Sequence, residues 1–148
     1  MSQQRKYAVG DTIDGPVRMI TPERIEWYDS AMLSAASGQL AQVGSNIHTD
    51  EDYARHEGFP GVIADGMIMA NWCSEMMVHH FGMNYLERGE LRTKFIKPVL
   101  LDVTLHVKGR VMAAEPCDGG TRYSLAIWCE DEHGMKLTDG DAKVEVRP

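Results

Sequence analysis

The segment Gly66–Phe81, GMIMANWCSEMMVHHF, decides the fold of this chain. Its apolar side chains would cover nearly the whole circumference of a helix. A helix that is apolar on every side must be surrounded by protein, and this one is too short to cross a bilayer. We therefore predict that it is the long central helix of the core.

The sequence that follows Gly82 has the alternation and turn signals of β-strands joined by short connections. Turns are predicted at 118–120 and 132–134. Alternation predicts strands over 91–96, 99–112, 123–129 and 143–146, with an earlier strand around 17–20. Long strands joined by short turns favour an antiparallel meander. The predicted fold class is α+β, with an antiparallel sheet wrapped around the central helix.

Two further helices are predicted ahead of the central one. Thr21-Pro22-Glu23 is typical of a helix start, and Gly38 is a natural stop. Within that helix one buried stripe is expected, formed by Ile25, Trp27, Tyr28, Met32, Leu33 and Ala36. Thr49 with Asp52 resembles a capping box that begins a short helix ending at Gly58. The sequence between them, 39–48, has no periodicity and is predicted to be a loop.

The bulk composition is that of one globular domain over residues 1–148. Acidic residues outnumber basic ones by 22 to 15, which argues against a nucleic-acid-binding surface. There is neither an apolar run of membrane-spanning length nor the apolar core of a signal peptide. The three cysteines form no metal knuckle or evident disulfide framework, so we expect a reducing cytoplasm.

Three stretches resemble the MaoC-like hydratase/dehydratase family: SNIHTDEDYA at 45–54, ARHEGFPGVIADGM at 54–67 and KFIKPV at 94–99. The resemblance covers roughly residues 8–148. It implies the hotdog fold, in which an antiparallel sheet wraps a long helix, and a homodimer or higher homo-oligomer. Members that are (R)-specific enoyl-CoA hydratases carry an Asp-x-Asn-Pro-(Ile/Leu)-His motif, whose aspartate and histidine activate water. The implied activity is reversible addition of water to the double bond of an acyl thioester.

The resemblance also implies the site residues. His48 matches the motif histidine, and Gly66 matches the glycine at the mouth of the central helix. The amides of Gly66 and Met67 would then bind the thioester carbonyl, because free amides at a helix N-terminus stabilise a developing negative charge. Ser45 and Asn46 stand in place of the Asn-Pro pair and are expected to contact substrate. A coenzyme A thioester would be the substrate, with no cofactor and no metal.

This chain departs from the motif at its aspartate. When the motif is aligned on His48 without a gap, its aspartate position falls on Val43. With an alignment gap after Gly38, that position falls on Gln39. Neither side chain is a base. Asp65 stands where a histidine is common, so we hypothesise that Asp65 partners His48. The alternative is that Asp65 only caps the central helix.

The sequence also allows other interpretations. The chain would be a non-catalytic acyl-CoA-binding subunit if nothing replaces the aspartate, or a thioesterase by analogy with other hotdog proteins. A metal site at His48, Asp50 and Asp52 is disfavoured, because acids are expected at a helix start. Five cations are either a solvated sheet face or contacts for coenzyme A phosphates: Arg92, Lys94, Lys97, Lys108 and Arg110.

Overall fold

The computed structural model describes residues 6–38 and 44–147. These residues contain five strands and four helices. In chain order they are β1 (Thr12–Met19), α1 (Pro22–Ser37), α2 (Glu51–His56), α3 (Gly66–Phe81), α4 (Met83–Arg88), β2 (Gly89–Phe95), β3 (Thr104–Cys117), β4 (Gly120–Glu130) and β5 (Lys136–Val146). The strands form one sheet in the order β1-β3-β4-β5-β2, in which every neighbouring pair is antiparallel.

The predicted meander is present as β3-β4-β5. Strand β1 adds to its outer side along β3, and β2 pairs with β5 at the other end of the sheet. Both edge strands are therefore brought into place by pairing with strands that lie far from them in sequence. Strand β2 follows directly on α4, and its last residue, Phe95, lies beside Gly66 at the start of the central helix.

Helix α3 is the centre of the core, as predicted. Its buried residues are Ile68, Met69, Ala70, Trp72, Cys73, Met76, Met77 and Phe81. They pack in one cluster with inward-facing side chains of the sheet such as Leu105, Val107 and Ile127. Of its other apolar residues, Met67 in the first turn is 46% exposed and Val78 is half-buried. The α+β architecture, an antiparallel sheet around one long apolar helix, is confirmed.

The helix ends show which capping predictions were right. The amide of Arg24 donates to Thr21 Oγ1 at the start of α1, and Gly38 beyond its end has a φ of 70°. The prediction for α2 was wrong by one residue. Asp50 is its N-cap and accepts from the Tyr53 amide, whereas the Thr49 hydroxyl donates to the Gly44 carbonyl. A carboxylate is the stronger acceptor at a helix start, because the helix dipole favours its charge.

Three other details differ from the sequence expectations. Helix α4 was not predicted, because six residues are too few to show a period. Strand β3 begins at Thr104 rather than at 99, after a turn in which Asp102 has a φ of 63°. Trp27 is 75% exposed and does not belong to a buried stripe of α1. Near it on the same helix, Asp29 is buried instead.

The predicted cationic cluster does not form. Arg92 and Lys94 lie on β2, whereas Lys108 and Arg110 lie on β3, and strands β4 and β5 separate the two pairs. Arg92 also pairs with Asp141 on β5, and Lys108 pairs with Glu130 on β4. Among the described helices, none is long and apolar enough to span a membrane.

Candidate active site

His48 lies in the loop that precedes α2, and two hydrogen bonds hold it there. Its ring Nδ1 is 2.8 Å from the carbonyl oxygen of Ile63, and its backbone amide donates to Asn46 Oδ1 at 2.7 Å. Ile63 belongs to the short segment that leads into α3 and makes an isolated bridge to Leu100. This contact connects the loop of His48 to the segment that precedes the central helix, although the two segments lie apart in sequence.

The hydrogen bond to Ile63 determines the tautomer of neutral His48. A carbonyl oxygen only accepts, so Nδ1 must carry the proton. Nε2 then keeps its lone pair, and it has no hydrogen-bond partner among the described residues. A half-buried imidazole that presents a free Nε2 is suited to take a proton from water and to return it.

A groove of about 270 Å³ runs beside His48 and the mouth of α3. Its lining is mostly apolar, with one cation at the edge, and includes His48, Phe59, Gly66, Met69, Phe95 and Lys97. A Cβ at Gly66 would lie 2.6 Å from the Phe95 ring, so only glycine allows the end of β2 to pack so closely on the helix. The structure therefore brings the predicted His48 and Gly66 to one groove.

Asp65 caps α3. Its Oδ1 accepts from the Met67 amide at 2.7 Å, so that amide is already engaged and does not offer a free donor for a thioester carbonyl. The Gly66 amide has no hydrogen-bond partner in the described part of the chain, and it remains the candidate donor. No hydrogen bond joins Asp65 to His48 among the described contacts, and Asp65 Oδ2 is uncommitted.

Ser45 and Asn46 make contacts within their own loop. Ser45 is exposed and, after the Tyr53 amide, helps to lower the pKa of the Asp50 carboxyl. Asn46 Oδ1 accepts from the His48 amide and, at 3.2 Å, from the Thr49 hydroxyl. Both residues thus shape the loop that holds His48; a contact with substrate stays a prediction. The positions that match the motif aspartate, Val43 and Gln39, lie outside the described residues.

Asp29 on α1 is the residue that sequence reasoning missed. It is 9% exposed and is the one buried charged residue in the described ranges. One feature of the sequence indicated its burial. The aspartate stands two residues after Trp27, in the helix whose apolar residues were predicted to form a buried stripe.

The pKa values of Asp29 and of its neighbour Tyr28 are both shifted upward. Burial is the main cause for Asp29, and the Asp65 charge adds to it, while His48 and the hydrogen bond from Asn46 act in the opposite direction. Burial also raises the pKa of Tyr28, again with a contribution from Asp65, against a hydrogen bond with Asn71. Both groups therefore favour their neutral forms more than they would in water.

A second groove, of about 690 Å³, adjoins Tyr28 and Ile68. The guanidinium groups of Arg18 and Arg24 lie 5.6 and 5.8 Å from the centre of the Trp72 ring that lines it. Trp27 lies on the same groove. Both terminal nitrogens of the Arg18 guanidinium donate to the Glu75 carboxylate, so Arg18 is less available to bind an anionic ligand. Within the ranges 6–38 and 44–147, no group of three or more metal-ligating side chains occurs.

The family model for the MaoC like domain matches residues 9–128 of this sequence. This chain belongs to the MaoC-like family. No curated protein resembles it at a significant level of sequence similarity. Its fold is the hotdog fold that the resemblance implied, as similar solved structures show.

Two similar structures are hydratases by name. The R-hydratase of Pseudomonas aeruginosa is 22% identical to this MaoC-like chain, with a TM-score of 0.67 over 95% of this chain and 83% of that one. The (R)-hydratase of A. caviae is 17% identical, with a TM-score of 0.70 over 96% and 98%. A third, from the ChsH1-ChsH2 complex of Mycobacterium tuberculosis, is 14% identical with a TM-score of 0.67 over 96% and 100%. At these identities the likeness shows the fold alone.

Proposed function

We propose that this MaoC-like protein is a hydratase/dehydratase that adds water reversibly to the C=C bond of an acyl thioester, with coenzyme A as the thioester carrier. The observation that carries the proposal is the His48–Ile63 hydrogen bond beside the mouth of α3. It leaves Nε2 as a base in a groove that also contains Gly66, whose amide is uncommitted among the described residues. A base and an amide donor are the two groups that this chemistry needs.

In the proposed reaction His48 is the only acid/base, because it both takes and returns the proton. Nε2 takes a proton from water while the water oxygen bonds to the β carbon of the enoyl thioester. The electron pair of the double bond passes to the thioester, which becomes an enolate, and the Gly66 amide stabilises its oxygen. The imidazolium then returns the proton to the α carbon, which completes the hydroxyacyl product and restores neutral His48. Dehydration follows the same steps in reverse.

Asp65 is proposed to orient the attacking water. Its Oδ1 is committed to the helix cap, but Oδ2 is uncommitted and would accept a hydrogen bond from that water. An asparagine at this position would keep the cap, since asparagine is also a favoured N-cap residue. Asp65→Asn therefore separates the two roles, because it removes the charge and keeps the helix end.

The test is a hydration assay with crotonyl-CoA and with longer and branched enoyl-CoAs. Loss of the conjugated thioester measures water addition, and release of free thiol measures hydrolysis. We expect water addition that is abolished in His48→Ala and strongly reduced in Asp65→Asn. The matched control is Asp118→Asn, the same change at an exposed turn between β3 and β4. Thiol release without hydration would contradict the proposal and favour a thioesterase.

A second candidate is a non-catalytic subunit that binds acyl thioester and acts only beside a complete partner. It is favoured by the absence of the motif aspartate and by the similar fold found in a two-component complex. Silence of the isolated chain across the panel, with activity only after a second chain is added, would support it. A homodimer and a cytoplasmic location stay predictions, and analytical ultracentrifugation tests the first of them.

A further inference from the structure

Lys97 supplies the one lysine or arginine in the lining of the groove that contains His48 and Gly66. Apart from His48, the other lining residues are apolar or glycine, and none of them is acidic. A groove with a cation and no carboxylate attracts anionic ligands, above all in a chain whose net charge is −7. The proposed function uses His48 and Gly66 and gives Lys97 no role.

The ammonium group of Lys97 has no carboxylate partner among the described ion pairs. Its Nζ lies 3.1 Å from Met135 Sδ, and a thioether is only a weak acceptor. The carboxylate on the turn before Met135, that of Asp131, is used by the turn itself, because its Oδ1 accepts from the amides of His133 and Met135. The charge of Lys97 is therefore available to a ligand, and an ammonium with three donors suits a carboxylate or a phosphate.

A chain of backbone contacts joins the segment of Lys97 to His48. Two residues after Lys97, the Val99 carbonyl accepts from the Ala64 amide at 2.8 Å. The carbonyl of the residue before Ala64, Ile63, lies 2.8 Å from Nδ1 of His48. Lys97 and the proposed base therefore lie on connected segments that line one groove.

The volume of this groove limits what it holds. At about 270 Å³ it is smaller than the roughly 300–1,000 Å³ of a site for a drug-sized ligand, and coenzyme A is larger than such a ligand. The groove therefore accommodates the thioester group and a short acyl chain, while the nucleotide end of coenzyme A lies outside it. An anionic group that meets Lys97 within the groove belongs to the acyl chain.

We propose that Lys97 selects an acyl chain that ends in a carboxylate. The substrate is then a short dicarboxylic acid joined to coenzyme A through one of its carboxyl groups. The Lys97 ammonium binds the free carboxylate while the thioester carbonyl lies at Gly66. This inference deepens the proposed function and rests on it for the reaction, whereas the binding preference is measurable without any reaction.

The first experiment is calorimetric titration with glutaryl-CoA and pentanoyl-CoA, which have equally long saturated chains and cannot be hydrated. We expect wild-type protein to bind glutaryl-CoA about two- to fivefold more tightly, as a partly exposed ion pair allows. The preference should be lost in Lys97→Gln and kept in Lys97→Arg. It should also shrink at about 1 M salt, where the Debye length is about 3 Å. Equal affinity of wild-type protein for the two thioesters would overturn the proposal.

Lys94→Gln is the matched control. Lys94 is an exposed lysine on β2 that does not line the groove, and it projects to the face of the strand opposite Phe95. It undergoes the same loss of charge, so the preference for glutaryl-CoA should persist in this variant. Loss of the preference in Lys94→Gln as well would show that net charge, and not the position of Lys97, causes it, which would also overturn the proposal.

The phosphates of coenzyme A are the other anionic groups within reach of a lysine at the groove edge. Glutaryl and pentanoyl thioesters of N-acetylcysteamine, which has no phosphate, separate the two sources. We expect Lys97→Gln to lose the glutaryl preference with both carriers. If Lys97→Gln instead weakens both coenzyme A thioesters equally and leaves both N-acetylcysteamine thioesters unchanged, Lys97 binds a phosphate and the proposal is overturned.

Hydration of glutaconyl-CoA and 2-pentenoyl-CoA, the corresponding enoyl thioesters, connects the preference to the reaction. We expect kcat/KM to be higher for glutaconyl-CoA, and Lys97→Gln to remove the difference through KM with little change in kcat. If wild-type protein hydrates no enoyl-CoA but prefers glutaryl-CoA through Lys97, the proposed function fails and the inference stands. If it hydrates both thioesters equally well, the proposed function stands and the inference fails.

Discussion

The Nδ1 atom of His48 lies 2.8 Å from the carbonyl oxygen of Ile63. This one contact orients the imidazole and sets its tautomer, since the carbonyl can only accept. It also joins the loop before α2 to the segment that leads into the central helix. The structural contact of His48 and its proposed role as a base therefore involve different ring nitrogens.

That separation predicts different outcomes for two substitutions. Asparagine at position 48 places an N–H donor close to where Nδ1 lies, so His48→Asn should keep the bond to Ile63 while lacking Nε2. His48→Ala loses both. We expect both variants to lose hydration, and His48→Ala alone to lose roughly 1 kcal/mol of unfolding free energy. Urea unfolding beside the rate assay checks this, and activity in His48→Asn would show that Nε2 is not the base.

The buried carboxyl of Asp29 predicts a pH-dependent stability. Its pKa is raised in the folded protein, mainly by burial, so folding disfavours the ionised form. The contribution of the protonated group is fully present below the ordinary aspartate pKa of 3.8 and is lost as the pH rises through the folded pKa. Asp29→Asn should therefore match wild type at acid pH and be the more stable protein at neutral pH.

Urea unfolding of both proteins across that range measures the difference. Asp118→Asn, at an exposed turn, should show no such trend with pH. Equal stability of wild type and Asp29→Asn at both acid and neutral pH would show that the pKa of Asp29 is not raised in the folded protein. A gain in stability with a loss of rate would be the trade-off expected when a functional group is held in an unfavourable environment.

The contact between Gly66 and Phe95 predicts a coupled pair. The three ring atoms nearest to an added Cβ at Gly66 would lie 2.6 to 2.8 Å from it, so Gly66→Ala must displace the ring. Phe95 is 49% exposed and has room to move, so we expect a distorted groove and a lower hydration rate more than a lost fold. Adding Phe95→Ala removes the clash, and the double variant should be less impaired than the sum of the two single changes. Additive losses would show that no such contact exists.

The three cysteines are expected to differ in reactivity. Cys73 and Cys129 are fully buried with their Sγ atoms 3.8 Å apart, whereas Cys117 is partly accessible. The hydrogen bond with Cys73, together with burial, raises the pKa of the Cys129 thiol well above its usual range, which suppresses the reactive thiolate.

Iodoacetamide should therefore modify Cys117 first in the native protein, and all three cysteines in denaturant, as counted by mass spectrometry. Cys117→Ser should remove the fast-reacting site and leave the fold unchanged. Rapid modification of Cys129 in native protein would show that α3 and β4 separate readily at this point.

The sequence by itself determined the parts of this protein that obey local rules. The apolar circumference of 66–81 predicted a central helix, because such a helix has to be buried wherever it is placed. Thr21 and Asp65 predicted helix starts, because unpaired amides at a helix start need an acceptor within a few residues. His48 and Gly66 were recognised from short motifs, and the structure places both at one groove.

The tertiary structure alone decided which side chains meet. Four of the five predicted cations are divided between β2 and β3, and the fifth, Lys97, lies beyond the end of β2. They are kept apart because pairing between distant strands sets the order of the sheet. Asp29 is buried on α1, and no spacing rule within that helix encodes its burial. Local propensity acts over a few residues, whereas burial and charge act between whatever the fold brings together. For this reason His48 could be predicted from a short motif, and the burial of Asp29 could not be.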